Sequence, residues 1–509
     1  MIKRHAPLLA LVLLVLASGC ITFCYILTMR YELKSSAIDG LSFAQLLFNV
    51  INGNGLTTTI APPYVEQSWL AVHFSPILYL LVPLYYLFPH IETLLLVQSF
   101  GIAAAAIPLF FIARTLLKSP WYALVIAIFY LTNSYVINAQ VWDFHEIAFA
   151  PFVISMILWS VLHRKKIWFL IFCAILLTIK EHYGLAVFGA GLLWAHNWRD
   201  PKFGLPVAAF GLLSFVMVIA VIMPHLSPVG SAIMLSDKSS IGFFNWLKHP
   251  FADMDLFIRQ SVNGIFYCIM LIMPLWFQPL FSFVWLLPSI ADMVVNTLSQ
   301  NDLMRAPSSY HTAAIIPVLL VAYSTALAKR YSGNGKLKIP DMLVATAVMV
   351  GFFSYSFSAL PGLPGNIYEL SGLQISLSPG DQAARDEIIK IIGNDSAVSG
   401  QVNILTHIPV RRNLYIFPDR GYADADYIVI NTKIIFEKRP IYFTDKHFDE
   451  LHKILDNNNW GLVFYRDNWL LFKRGGPGNP ELSAKATHDL QQLQVKTKEF
   501  NAALKQLKP

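Results

Sequence analysis

Charge is scarce in this sequence. Only 14% of its 509 residues are Asp, Glu, Lys or Arg, against 55% hydrophobic. A soluble core of that size would show period-2 or period-3.6 alternation, and the apolar residues here run in long unbroken blocks instead. Cysteine is scarce too. Cys20, Cys24, Cys173 and Cys268 fall in or beside apolar blocks and form neither a disulfide pattern nor a metal ligand set. The chain has no phosphate-loop glycine motif, no zinc-site Cys/His spacing and no internal repeat. The net charge of +7 reflects Lys and Arg in short loops, which orient a membrane protein, and gives no sign of nucleic-acid binding.

What is present is a series of apolar blocks, many close to the roughly 20 residues that cross a bilayer as a helix. Lys3 and Arg4 place the N-terminus in the cytoplasm. The run 8–17 followed by A-S-G-C is similar to a lipoprotein signal, but residues 21–28 continue it, so 7–29 is expected to be an uncleaved first helix. A first external loop, 30–69, follows with Asp39, a helical stretch, N-G-N-G and a Pro62-Pro63 break. Further blocks are 70–88, 92–117, 121–137, 147–162, 168–179, 183–195, 205–223, 265–276, 280–290, 312–328 and 342–357. External loops are expected at 224–259 and 296–310, the latter with Asp302 and Arg305. The basic loops 114–118, 163–166, 199–202 and 329–338 all face the cytoplasm only if 70–88, with His73, Pro76 and Pro83, is interfacial or re-entrant. That parity predicts about eleven crossings with the C-terminus outside.

Composition changes near Leu360, where Gly and Pro cluster and charge rises. The expected division is a membrane domain 1–359, a soluble extracytoplasmic α/β domain 360–478 and a polar helix within 479–509. Residues 381–392 read as an amphipathic helix, and 427–431 and 462–472 as strands, the second a hairpin turning at Asp467-Asn468.

Three polar islands interrupt the apolar pattern. V-W-D-F-H-E at 141–146 gathers Asp143, His145 and Glu146; I-D-G-L-S-F-A-Q begins at Ile38; K-E-H is Lys180, Glu181 and His182. Ionisable groups at a membrane are costly and point to function. The set Asp143, His145 and Glu146 suits a divalent metal (Mg or Mn) with open positions, a hydrogen-bonded acid–base group, or simple helix-end capping. Lys180 is a compact phosphate partner with Glu181 as its nearest counter-charge, or the two are a self-neutralising ion pair. Asp39 is a site acid or a helix cap. His73, Arg305 and His311 are weaker candidates, equally readable as interfacial polar residues.

H-F-S-P at 73–76, V-W-D-F-H-E, T-I-K-E-H-Y-G at 178–184, Y-H-T-A-A-I-I-P from Tyr310 and R-R-N-L-Y-I-F-P in the tail resemble a bacterial and archaeal family of polytopic membrane proteins, a domain of unknown function (DUF2079). That family is grouped with the GT-C membrane glycosyltransferases. The resemblance implies a GT-C-like helical bundle, mainly α, with a C-terminal extracytoplasmic α/β domain. It also implies a multi-pass protein of the inner membrane with membrane lipid around it, a polyprenyl-phosphate sugar donor, and an envelope glycan, lipid or protein as acceptor. Asp39, Asp143 and Glu181 would then be catalytic, with Lys180, His145, His73, Arg305 and His311 binding substrate. In the family the first-loop motif tends to run D-L-G-I-F-D-Q, and Ala44 stands here in place of the second acid. Two other classes compete: a transporter or lipid flippase, with Asp143, Lys180 and Glu181 along a substrate path, and a non-catalytic membrane scaffold. Ionisable residues at one face and the lack of a two-fold repeat favour the enzyme.

Overall fold

The structure, a computed structural model, describes residues 2–33, 38–61, 66–230, 254–299, 301–306, 309–331, 376–419, 422–432, 445–457 and 459–506. The expected helix 342–357, the Pro62-Pro63 break, the Leu360 boundary, most of loop 224–259 and most of the basic stretch 329–338 lie outside the described residues. The chain forms two compact units. One comprises Met1–Tyr25, Ser68–Leu84 and Glu92–Ser371, the other Ile26–Gln67, Tyr85–Ile91 and Gly372–Pro509.

The first unit is helical. Among the described residues, five helices are long and apolar enough to cross a membrane: His5–Tyr31, Ile91–Leu117, Pro201–Leu226, Ile258–Leu275 and Gln278–Thr297. A sixth span is formed if Pro120–Leu131 and Ser134–Gln140 act together. That pair is bent by 58°, where the sequence pattern suggests one run, 121–137. The cause is local. Thr132 ends the first helix, and Asn133, in extended backbone, caps the second by accepting from the Tyr135 N–H at 3.0 Å. Shorter apolar helices complete the unit, among them Lys166–Leu177, Tyr183–Trp198 and Ile315–Tyr331. About eleven crossings therefore require several of these short helices to cross as well. Residues 70–88 divide into the 3₁₀ turns Trp69–Ala71 and Pro76–Leu81 and the helix Val82–Leu87.

Burial follows the lipid logic of such a bundle. On the first helix Leu11, Val15, Thr22 and Ile26 are buried, while Leu9, Leu13, Leu16 and Ile21 are exposed. The exposed side is as apolar as the buried one, so only a bilayer accounts for it. Where lipid is the solvent, close backbone approach takes over from hydrophobic burial. Helices Tyr183–Trp198 and Pro201–Met217 pack through Gly184 and Gly191 on one and Gly204 and Gly211 on the other, each pair seven residues apart. A Cβ on Gly191 would lie 2.5 Å from the Ala208 nitrogen and 2.7 Å from the Gly204 carbonyl.

The second unit contains a short ladder of β1 (Thr57–Thr58) with β2 (Gln67–Ser68) and a five-stranded sheet. The sheet strands are β3 (Val398–Gly400), β4 (Leu414–Ile416), β5 (Tyr427–Asn431), β6 (Trp460–Arg466) and β7 (Trp469–Arg474), in the order β4-β3-β5-β7-β6. β3 pairs in parallel with β4 and β5, and β7 is antiparallel to β5 and β6. Asp467 and Asn468, both at positive φ, make the β6–β7 turn, the conformation that favours Asn and Asp in a two-residue hairpin. Helices Pro379–Ile392, Asp445–Leu455 and Pro480–Gln506 belong to this domain, and Phe448, Leu451 and Leu490 join Ile428, Leu470 and Phe472 in its core.

Gly191→Leu should prevent the close helix pair from forming. The expected result is a large loss of folded protein after detergent extraction, read by size-exclusion chromatography and thermal unfolding, whereas Leu213→Ala on the exposed face of the partner helix should be near neutral.

Candidate functional site

The loop 141–146 is held from beneath by one side chain that the sequence pattern does not flag. Gln98, on helix Ile91–Ala103 and 1% exposed, places its Nε2 2.8, 3.1 and 2.8 Å from the carbonyls of Ala139, Trp142 and Asp143. Its Oε1 accepts from the His145 N–H at 2.9 Å. Gln140 Nε2 adds a bond to the Ser99 carbonyl at 2.9 Å. These bonds satisfy a turn that would otherwise leave bare backbone among apolar helices.

Held in this way, the loop directs Glu146 into the interior. Glu146 has no solvent exposure, and its Oε1 lies 3.0 Å from Lys180 Nζ, itself 7% exposed. The sequence pairs Lys180 with its neighbour Glu181, and the structure corrects this. The ion pair at 3.0 Å is with Glu146, and Glu181 is engaged elsewhere. It meets His73 Nδ1 at 3.2 Å and accepts from the Phe74 N–H at 3.1 Å. The Ile77 N–H also bonds the Thr178 carbonyl at 2.9 Å. H-F-S-P and T-I-K-E-H-Y-G are therefore two sides of one junction. His182 Nε2 lies 3.6 Å from Asp292 Oδ1, on helix Leu287–Leu298.

Aromatic rings close another side. His145 and Tyr310 stand 3.8 Å apart between centroids, Tyr310 and His311 4.2 Å, and Trp142 and Tyr310 5.7 Å at 61°. His145 Nδ1 is 2.9 Å from the Asp143 carbonyl. Four of the motifs thus converge in the first unit, bringing together His73, Asp143, His145, Glu146, Lys180, Glu181 and His311.

The charges of the turn are set by these neighbours. Burial alone would raise the Glu181 carboxyl, but the charge and hydrogen bond of His73, with Lys180 and His182, hold it far below the usual carboxylate range. Burial drives His182 down to about 4 against the opposing pull of Glu181, and it drives His311 well below its ordinary value.

Other candidates are placed differently. Arg305 is used locally: its Nη1 donates to the carbonyls of Asn296, Thr297 and Ser299, and its Nη2 meets Asp302 Oδ1 at 2.5 Å. It closes the end of helix Leu287–Leu298. Asp39 belongs to the second unit, in the first turn of helix Ile38–Ile51. Ala44 is wholly buried, so the acid usual in the family would be enclosed at this position. The set expected to hold a metal does not fit one. Glu146 faces Lys180, His145 turns Nδ1 to a carbonyl, and among the described residues no three His, Cys, Asp or Glu converge as a metal site.

Gln98 and Asp292 are the residues that sequence reasoning missed. Each had a signal, a polar or acidic side chain within an apolar helix, which is costly unless it is used.

A polytopic helical membrane protein with paired ions among its helices and an α/β domain is the class these features define. The chain belongs to the family of predicted membrane proteins DUF2079, which matches residues 30–471. Two crystal structures of ArnT from Cupriavidus metallidurans are similar in part. The one bound to undecaprenyl phosphate is 12% identical, with 91% of this chain and 97% of that one covered at a TM-score of 0.47. The apo structure is 12% identical, with 92% and 99% covered at 0.48. No curated protein matches the chain.

Lys180→Met leaves Glu146 buried beside an apolar group and should cost about 3–5 kcal/mol. Lys180→Met with Glu146→Gln should recover most of that loss. Thermal unfolding in detergent measures both, and a double variant no more stable than Lys180→Met alone would show that the two charges are not coupled.

Proposed function

We propose that this protein is a membrane glycosyltransferase, moving a sugar from a polyprenyl-phosphate donor to an envelope acceptor on the extracytoplasmic face of the inner membrane. The observation that carries this reading is the Lys180–Glu146 pair with the Glu181–His73 pair beside it, a buried cation with flanking histidines among apolar helices. Such a site can receive a lipid-borne phosphate, because the headgroup needs compensating charge where its tail needs hydrocarbon.

In the reaction the acceptor hydroxyl attacks the anomeric carbon. The bond from that carbon to the phosphate oxygen breaks, and the phosphate leaves with the electron pair. Lys180, fixed by Glu146, stabilises the charge that develops on the phosphate. Glu181 accepts from His73 Nδ1 and is a positioning residue for that ring beside the phosphate. Asp39 takes the acceptor proton, a role proposed from its place in the first-loop motif alone. Asp143, beside the Trp142, His145 and Tyr310 rings, orients the sugar. No step is assigned to a metal or to Arg305, since the residues expected to hold the first do not fit it and the donors of the second are used locally.

The orientation follows from the basic loops and is open to a direct check. A phosphatase fused after residue 506 should be active outside the cytoplasm and a green fluorescent protein dark there; the opposite pattern would place the Lys180 turn on the wrong side for an extracytoplasmic acceptor.

The chemistry is tested with purified protein in lipid nanodiscs and a panel of polyprenyl-phosphate hexoses and pentoses. Wild type should release polyprenyl phosphate from one of them, and Asp39→Asn should lower that rate by on the order of 10²-fold or more while unfolding at the same temperature. No release from any donor by wild type would sink the enzyme and leave transport, read as donor movement across the bilayer without cleavage; release that survives in both Asp39→Asn and the double variant Lys180→Met with Glu146→Gln would remove these residues from the reaction.

A further inference from the structure

In the second unit, strand order reverses at β3, whose parallel neighbours β4 and β5 lie on opposite sides. In open sheets of this kind the crevice beyond the carboxyl ends at the reversal is where ligands bind. Here the chain's own segment is seated there. Arg30 Nη2 donates to the Thr406 carbonyl at 2.6 Å, His407 Nε2 lies 3.1 Å from the Arg30 carbonyl, and Asn403 Nδ2 donates to the Leu33 carbonyl at 3.0 Å. Beyond it, the outer edge of β4 is taken by the same loop. Thr59 Oγ1 donates to the Leu414 carbonyl at 2.6 Å and lies 3.2 Å from the Leu414 N–H.

Gln45 joins these pieces. It is wholly buried, and both ends of its amide are used. Nε2 donates to the Arg412 carbonyl at 2.7 Å and to Thr59 Oγ1 at 3.0 Å; Oε1 accepts from Thr58 Oγ1 at 2.8 Å and from the Thr59 N–H at 3.1 Å. R-R-N-L-Y-I-F-P in the tail thereby acquires a use, since its Arg411, Arg412 and Leu414 carbonyls receive the loop.

We propose that the C-terminal α/β domain is a clamp for the first external loop, and that Gln45 is the positioning residue that fixes the helix carrying Asp39. A 14-residue helix is stiff over the six residues from Asp39 to Gln45, about 9 Å of rise, so anchoring one sets the other. The sheet's customary ligand crevice is then spent on holding the loop, and the domain has no nucleotide or sugar site of its own there. Only the catalytic meaning of Asp39 rests on the proposed glycosyl transfer; the clamp does not.

The test is hydrogen exchange on the full-length protein in nanodiscs, with donor turnover measured on the same samples. Gln45→Leu keeps the bulk and removes both ends of the amide. Amides of Ile38–Ile51 should exchange about 10-fold faster or more, while helix Pro379–Ile392 of the same domain keeps its wild-type protection. Turnover should fall in kcat with the donor KM unchanged, and Gln45→Glu, whose protonated carboxyl restores one donor and the acceptor end of the amide, should recover part of the protection as pH is lowered. Unchanged exchange at 38–51, or faster exchange spread evenly over the whole domain, would overturn the clamp. If the exchange result holds and wild type releases polyprenyl phosphate from none of the donors, the clamp stands and glycosyl transfer falls. If Asp39→Asn is dead and Gln45→Leu keeps wild-type exchange and kcat, the reverse is true.

Discussion

Glu146 has no access to water, and Lys180 Nζ stands 3.0 Å from its carboxylate. Everything around the loop 141–146 is arranged to make that burial tolerable. A carboxylate enclosed by apolar helices costs several kcal/mol without a partner. The partner therefore has to be held as firmly as the acid. Gln98 fixes the acid's loop, and the junction of His73–Phe74 with Thr178–Glu181 fixes the turn that carries the cation. The ion pair is weak as a source of stability. Its value lies in specificity: it fixes which turn faces which.

The second unit answers a different constraint. A sheet edge left open is a template for unwanted pairing, and β4 is an edge strand of only three residues. The first loop, distant in sequence, covers it with Thr59 and Gln45. Without that seat the loop would bear the entropy of its own ordering with little packing to offset it. Docked on the domain, it becomes an ordered helix, Ile38–Ile51, with a short ladder at its end.

Much of this could be read from the residues. Long apolar blocks gave the helices, and alternation with Asp467-Asn468 gave the hairpin. The polar islands marked the turns at which Glu146, Lys180, Glu181 and His145 gather. What could not be read was pairing. Lys180 and Glu181 are neighbours in the chain, and contiguity made them look like partners; Lys180 meets Glu146 and Glu181 meets His73, each on another element. Gln98 and Asp292 lie inside helices whose hydropathy hid them. Their roles depend on which carbonyls and imidazoles the bundle brings alongside, and that is a property of packing. The kink at Asn133 was hidden for a similar reason, since one capping side chain outweighs an apolar window.

Ala44 shows how the two levels join. In the sequence it reads as a missing acid and weakens the case for catalysis. In the structure its side chain is fully enclosed beside Gln45, on the face of the helix that meets the rest of its unit. An acid there would need a buried cation or a proton of its own. Alanine removes that demand and leaves Gln45 to bind the domain with neutral hydrogen bonds. The substitution is therefore compatible with a helix whose inner face is for docking. The chemical burden of the first loop then falls on Asp39, in the opening turn of that helix, where the peptide dipoles favour a carboxylate.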